Sequence, residues 1–102
     1  MSLYDLQRDL ADHDSRNWLH EQGFETDKHN FLHVAKTAGK IATHLEAIDD
    51  KKEDPSAQLD SMVVADLAIE AMRFANNSGR SLQELIEARM EELRERAAQA
   101  QS

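Results

Sequence analysis

Three ionisable residues within residues 59–77, LDSMVVADLAIEAMRFANN, are the first candidates for chemistry in this chain. Asp66, Glu70 and Arg73 stand at i, i+4 and i+7, which on a helix is one narrow stripe. The rest of residues 62–75 is apolar almost all round. A helix with that pattern is a buried one, central to a small bundle. A carboxylate placed there needs a cation, a metal or hydrogen bonds to meet it. Two answers are open for Asp66: an ion pair with Arg73 and a lysine from the neighbouring helix, or a divalent metal.

Two other groupings have ligand chemistry on paper. His29 and His33 are at i, i+4, a spacing that can hold zinc. No glutamate in a HExxH register and no third ligand accompanies them, and surface or partly buried histidines near a helix start are the plainer reading. Glu91, Glu92 and Glu95 spell EExxE, a carboxylate-rich metal pattern. They lie among arginines, so pairing of Glu91 with Arg94 and of Glu92 with Arg96 accounts for them without a metal. There is no glycine-rich phosphate loop, no GxSxG elbow and no nucleophile–base pair.

The elements that must position these groups are helices. A first begins near Ser2 in a capping-box-like arrangement with Asp5, its apolar face built from Leu3, Leu6 and Leu10 and continued by Trp18 and Leu19. A kink or break at residues 12–15 is possible, and Gly23 ends the element. Thr26 or Asp27 caps a second helix that runs to about Ile48, with the seam Phe31, Val34, Ala38, Ile41, Leu45 and Ile48. Beside that seam lie His33, Thr37, Lys40 and His44, with Lys36 at the edge. After the charged turn DDKKEDPS, Asp54 and Pro55 read as cap and first position of the third helix. Gly79 ends that helix in the left-handed C′ position. Ser81 and Glu84 open the fourth, whose inward face is Leu82, Ile86, Met90, Leu93 and Ala97.

Residues 1–102 are expected to form one all-α domain, an antiparallel four-helix bundle. With no cysteine and no apolar run of membrane-spanning length, a cytoplasmic setting is expected. The formal net charge of −8 speaks against duplex nucleic acid, whose phosphates demand a basic footprint. The apolar girth of the third helix is too wide for the neighbours available in one short chain, so a homodimer is expected.

From about Asn30 to Arg96 the chain resembles the MazG-like, all-α nucleoside triphosphate pyrophosphohydrolases. HVAKTAGKIATHLEA is similar to that family's second helix, including the small pair Ala38-Gly39. VVADLAIEAMRFANNSGRSLQELIEARMEELRER is similar to its third and fourth, including Asp66, the Gly79 turn and a basic residue at Arg89. Trp18 sits where members often carry a tryptophan. The resemblance implies a bundle completed by dimerisation and magnesium-dependent hydrolysis of a nucleoside triphosphate to monophosphate and pyrophosphate. Members bind the metal with EExxE on the second helix and ExxD on the third.

Carried over residue by residue, most of that set is replaced. The EExxE positions become Lys36, Thr37 and Lys40; the glutamate of ExxD becomes Val63; Asp66 is the one surviving metal-ligand position. The family's fourth-helix lysine becomes Arg89, and the asparagine four residues on becomes Leu93. One carboxylate cannot hold magnesium tightly, and two lysines nearby oppose a cation. The implied protein is a catalytically degenerate member with no cofactor. Asp66 would be neutralised by Lys36 or Lys40, or a nucleotide or phosphate would be bound by Lys36, Lys40 and Arg89. The alternatives are an active hydrolase with a rearranged Mg2+ site, and a non-catalytic helical dimerisation or interaction module.

Overall fold

A computed structural model describes residues 1–17, 24–54, 59 and 61–101, without the side chains of residues 24 and 25. Four helices follow one another: α1 (Leu3–Asn17), α2 (Phe24–Asp49), α3 (Ser61–Ser78) and α4 (Leu82–Ala100). No strand occurs among the described residues. Trp18, Leu19, Gly23, Pro55 and Asp60 lie outside them.

Local chemistry sets the helix ends. The Asp5 amide donates to Ser2 Oγ at 3.1 Å and the Ser2 amide to Asp5 Oδ2 at 3.2 Å, a closed capping box. Hydrogen bonds from the Ser2 backbone and then its hydroxyl hold the Asp5 carboxyl below its usual range. The possible break at residues 12–15 does not occur: α1 runs unbroken. An Arg16–Asp12 ion pair at 3.1 Å and the Asn17 amide on the His13 carbonyl at 2.8 Å support that stretch from within the helix. Helix α2 starts at Phe24, ahead of the expected caps, and Asp27 instead accepts from Asn77 Nδ2 at 2.8 Å.

Two helices end in the same left-handed device. At the end of α3 the Arg80 amide reaches the Ala75 carbonyl and the Gly79 amide that of Asn76, with Gly79 at φ 71°. At the end of α2 the Lys52 amide reaches Ala47 and the Lys51 amide Ile48, with Lys51 at φ 60°, where glycine would be the easier residue. The third helix is described from Ser61 onward, and the start expected at Pro55 falls outside the described residues. Ser81 caps α4, its Oγ accepting from the Glu84 amide at 3.3 Å, while the Glu84 carboxylate takes the Tyr4 hydroxyl.

Helix α3 is central, in contact with α1, α2 and α4, whereas α2 touches neither α1 nor α4 among the described residues. Its side of α2 is Asn30, Val34, Thr37, Ile41, His44 and Ile48, all buried or half-buried. The expected seam shares Val34, Ile41 and Ile48 with that face, but Phe31, Ala38 and Leu45 stand exposed. Helix α2 carries apolar residues on more than one side, and α3 covers only one.

Burial is thin elsewhere too. The expectation of an α3 buried all round fails over its first half. Hydrogen bonds from α1 reach α3 and its C-terminal turn at Arg73, Asn76 and Arg80, toward the far end of the helix. Met62 is 65% exposed and Val64 54%. Val63, Met72 and Ala75 are the buried apolar residues among those described. The inward face expected of α4 is also corrected: Leu82 is half-buried, while Ile86, Met90, Leu93 and Ala97 are exposed, because α4 meets only α1 and α3.

Candidate functional site

Polar side chains, not hydrocarbon, fill much of the space between the helices. Gln7 and Asp14 of α1, Asn30 and Thr37 of α2, and Glu70 of α3 are all buried. Each has a reason to be there in the backbone geometry. On α1, Leu3, Gln7, Leu10 and Asp14 follow one another by steps of four, three and four, so they share a face. On α3 the sequence stripe Asp66, Glu70, Arg73 is extended by Asn77 at the same spacing.

The stripe divides between two partner helices. Toward α1, Arg73 Nε donates to Asp14 Oδ2 at 2.9 Å and its Nη2 to Oδ1 at 3.0 Å, a two-pronged contact. Burial alone would push the Asp14 carboxyl up. The Arg73 fork, with His13 Nδ1 3.2 Å from Oδ1, more than offsets it and holds the group below its usual range. Gln7 ties α1 to the α3–α4 turn. Its Nε2 donates to Asn76 Oδ1 at 2.9 Å and to the Arg80 carbonyl at 2.7 Å, and its Oε1 accepts from the Leu82 amide at 2.7 Å.

Toward α2, Glu70 is 4% exposed, and Thr37 donates its hydroxyl to Glu70 Oε1 at 2.9 Å. Asn30, 3% exposed, donates Nδ2 to the Glu70 carbonyl at 3.0 Å. Glu70 Oε2 and Asn30 Oδ1 are both buried without a hydrogen-bond donor.

The candidate residues themselves are dispersed. Asp66 is half-buried and makes no ion pair or hydrogen bond among the described residues. Arg73, expected beside it, belongs to Asp14 instead, because α1 crosses α3 at that level. Lys36 and Lys40 are exposed, and neither pairs with Asp66. Arg89 is exposed on α4, which does not touch α2, and pairs with Glu92 at 2.7 Å. That pair takes Glu92 away from its expected partner Arg96, while Glu91–Arg94 forms as expected at 3.2 Å. The single chain therefore does not gather Lys36, Lys40 and Arg89. Of the acids that could join Asp66, Glu70 is turned onto Thr37 and Glu46 is exposed on α2.

Magnesium binds through several oxygen ligands in octahedral geometry. Among the described residues no group of three or more histidines, cysteines or acids is arranged to hold a metal ion, and Asp66 belongs to no such group there. Gln7 and Asn30 are buried polar residues that the sequence did not single out, and Asp14, expected to interrupt the first helix, is a third. The available signal was a polar residue standing at a core position of an otherwise apolar 3–4 repeat.

Comparison with protein-family models, with curated proteins and with solved structures returns no match to this chain. Among the described residues no helix is long and apolar enough to cross a membrane.

Proposed function

We propose that this chain is a self-associating helical module of MazG-like fold in which the metal-hydrolase site has been lost. The observation that carries the self-association is surface area. The chain exposes 7805 Å², whereas a compact monomer of this size exposes about 5,800 Å². Its radius of gyration, 17.1 Å, likewise exceeds the roughly 13 Å of a compact domain. A standard interface removes about 800 Å² from each partner, so a second copy of the chain is well within the excess.

The face with the right character is on the α2–α3 pair. Phe31, Ala35, Ala38, Ala42 and Leu45 form an unbroken 4–3–4–3 seam on α2, all exposed. Met62, Val64, Ala65 and Ala68 are exposed on the first half of α3. Three alanines in the α2 seam let a second helix approach closely. Pairing two such hairpins gives a four-helix layer and covers the apolar residues that one chain leaves in water. Loss of hydrolysis is supported by lysines at the acid positions and by the isolation of Asp66.

A second reading, an anion site for a nucleotide or phosphate, is favoured by one observation. Lys36 and Lys40 are exposed cations with no ion-pair partner among the described residues. Arg89 would have to come from the other protomer.

Sedimentation velocity across micromolar concentrations tests the first reading. The wild-type chain is expected to sediment as a dimer and Ala38→Glu as a monomer; a wild-type monomer throughout refutes the module. Pyrophosphate release from mixed nucleoside triphosphates with magnesium or manganese tests the loss of chemistry, with none expected. Bound magnesium would also stabilise the fold, by about 2.7 kcal/mol at a hundredfold excess over its Kd. No such rise over sodium at equal ionic strength is expected.

A further inference from the structure

His29 and His33 occupy successive turns on the exposed side of α2, away from the face packed on α3. Their Nε2 atoms stand 3.2 Å apart, with ring centroids at 4.8 Å and ring planes inclined at 64°. Two ring nitrogens that close either share a proton or share a cation. A Zn–N bond of about 2.0–2.1 Å at the tetrahedral angle separates two ligand nitrogens by about 3.3 Å. The observed spacing needs almost no adjustment to put both lone pairs on one ion. The helix sets the two backbone positions one turn apart, so binding has only the ring rotamers left to fix.

We propose that His29 and His33 form an exchangeable site for a divalent transition-metal ion, with zinc as the reference occupant. Imidazole ligands suit zinc, copper and nickel, whereas magnesium and calcium prefer oxygen. A two-imidazole pair leaves the other positions of a tetrahedral ion to water or to further ligands. Lys36, farther along the same exposed side, projects into solvent, where its charge is screened. Binding exchanges two waters of the ion for two neutral imidazoles. In the proton-sharing form one ring carries hydrogen on Nε2; on metal binding that proton passes through solvent to the same ring's Nδ1, freeing the Nε2 lone pair.

Isothermal titration of the full chain with zinc chloride, with magnesium chloride as the ionic control, tests the site. One zinc per chain is expected. His29→Ala and His33→Ala should each weaken binding about tenfold or more, since loss of a direct ligand costs at least as much as loss of an outer-shell partner. His13→Ala should leave binding unchanged. His29 has a further interaction of its own, so a readout on the unmodified chain is needed beside the variants. In nitrogen NMR of the wild-type protein, zinc should move the Nε2 resonances of both rings together. No zinc uptake, uptake unchanged by either substitution, or movement of one ring alone would each overturn the two-histidine site.

Discussion

Arg73 of α3 grips Asp14 of α1 through two near-parallel hydrogen bonds, 2.9 and 3.0 Å, with the carboxylate side chain 5% exposed and the guanidinium 20%. The contact joins residues 59 positions apart, and both members are largely withdrawn from water. Breaking a buried pair from one side leaves the other charge stranded, typically at about 3–5 kcal/mol. The partial exposure of Arg73 places this pair at the low end. Asp14→Leu is expected to lower the unfolding free energy by about 3 kcal/mol, and Arg73→Met by a similar amount. The double variant should lose far less than the sum. Urea unfolding of all four proteins measures it, and additivity within about 0.5 kcal/mol would show that the two charges do not depend on each other.

The same contact sets an acid dependence. The Asp14 carboxyl is held below its ordinary value in the folded chain. A depressed folded pKa gives stability that is complete above the unfolded value, near 3.9, and lost as the pH falls through the folded one. Stability should therefore be flat near neutrality with respect to this group and decline below about pH 4. In Asp14→Asn that portion of the decline should be missing. Denaturant midpoints at pH 6 and pH 3 for both proteins check it; equal declines would assign the acid sensitivity to other carboxylates.

Glu70 is a buried carboxylate with one oxygen unmet. Asn30 Oδ1, on the facing helix, lacks a donor too. Glu70→Gln removes a buried charge and offers an amide donor while preserving an acceptor for the Thr37 hydroxyl. It is expected to raise the unfolding free energy at pH 7 by about 1 kcal/mol. A fall of that size would mean that the carboxylate has a cationic partner in the working protein.

Lys51 ends α2 in the left-handed region at φ 60°. A side chain there clashes with the following carbonyl at about 1–2 kcal/mol, which glycine avoids at some entropic cost. Lys51→Gly should stabilise the chain by about 0.5–1 kcal/mol, and Lys51→Val should destabilise it. Thermal unfolding followed by circular dichroism separates the two. Identical melting temperatures for all three proteins would show that this turn is not held as described.

The sequence by itself determined the elements and most of their ends. Ser2 with Asp5, Gly79, and Ser81 with the Glu84 amide act on the backbone within a few residues, so their meaning survives any tertiary arrangement. The 3–4 repeats likewise fixed helices as the secondary structure. What the repeats could not fix was rotation. On α2 the lines Asn30-Val34-Thr37-Ile41-His44-Ile48 and Phe31-Ala35-Ala38-Ala42-Leu45 have the same period, and only the position of α3 chooses between them. The expected seam took alternate members of both lines, and α3 covers its Val34, Ile41 and Ile48 while Phe31, Ala38 and Leu45 stay exposed.

The tertiary structure alone decided the polar partners. Nothing local to Arg73 names Asp14, and nothing local to Glu70 names Thr37, because those pairs depend on where two helices cross and not on spacing along either. The three-residue stripe of α3 was legible as a stripe, and other helices meet Arg73 and one carboxylate oxygen of Glu70. Asp66, which the sequence made the focus, is the member of that stripe left without a partner among the described residues. Side-chain convergence is the last thing only three dimensions supply: the i, i+4 step allowed His29 and His33 to meet, and the rotamers on α2 brought their nitrogens to 3.2 Å.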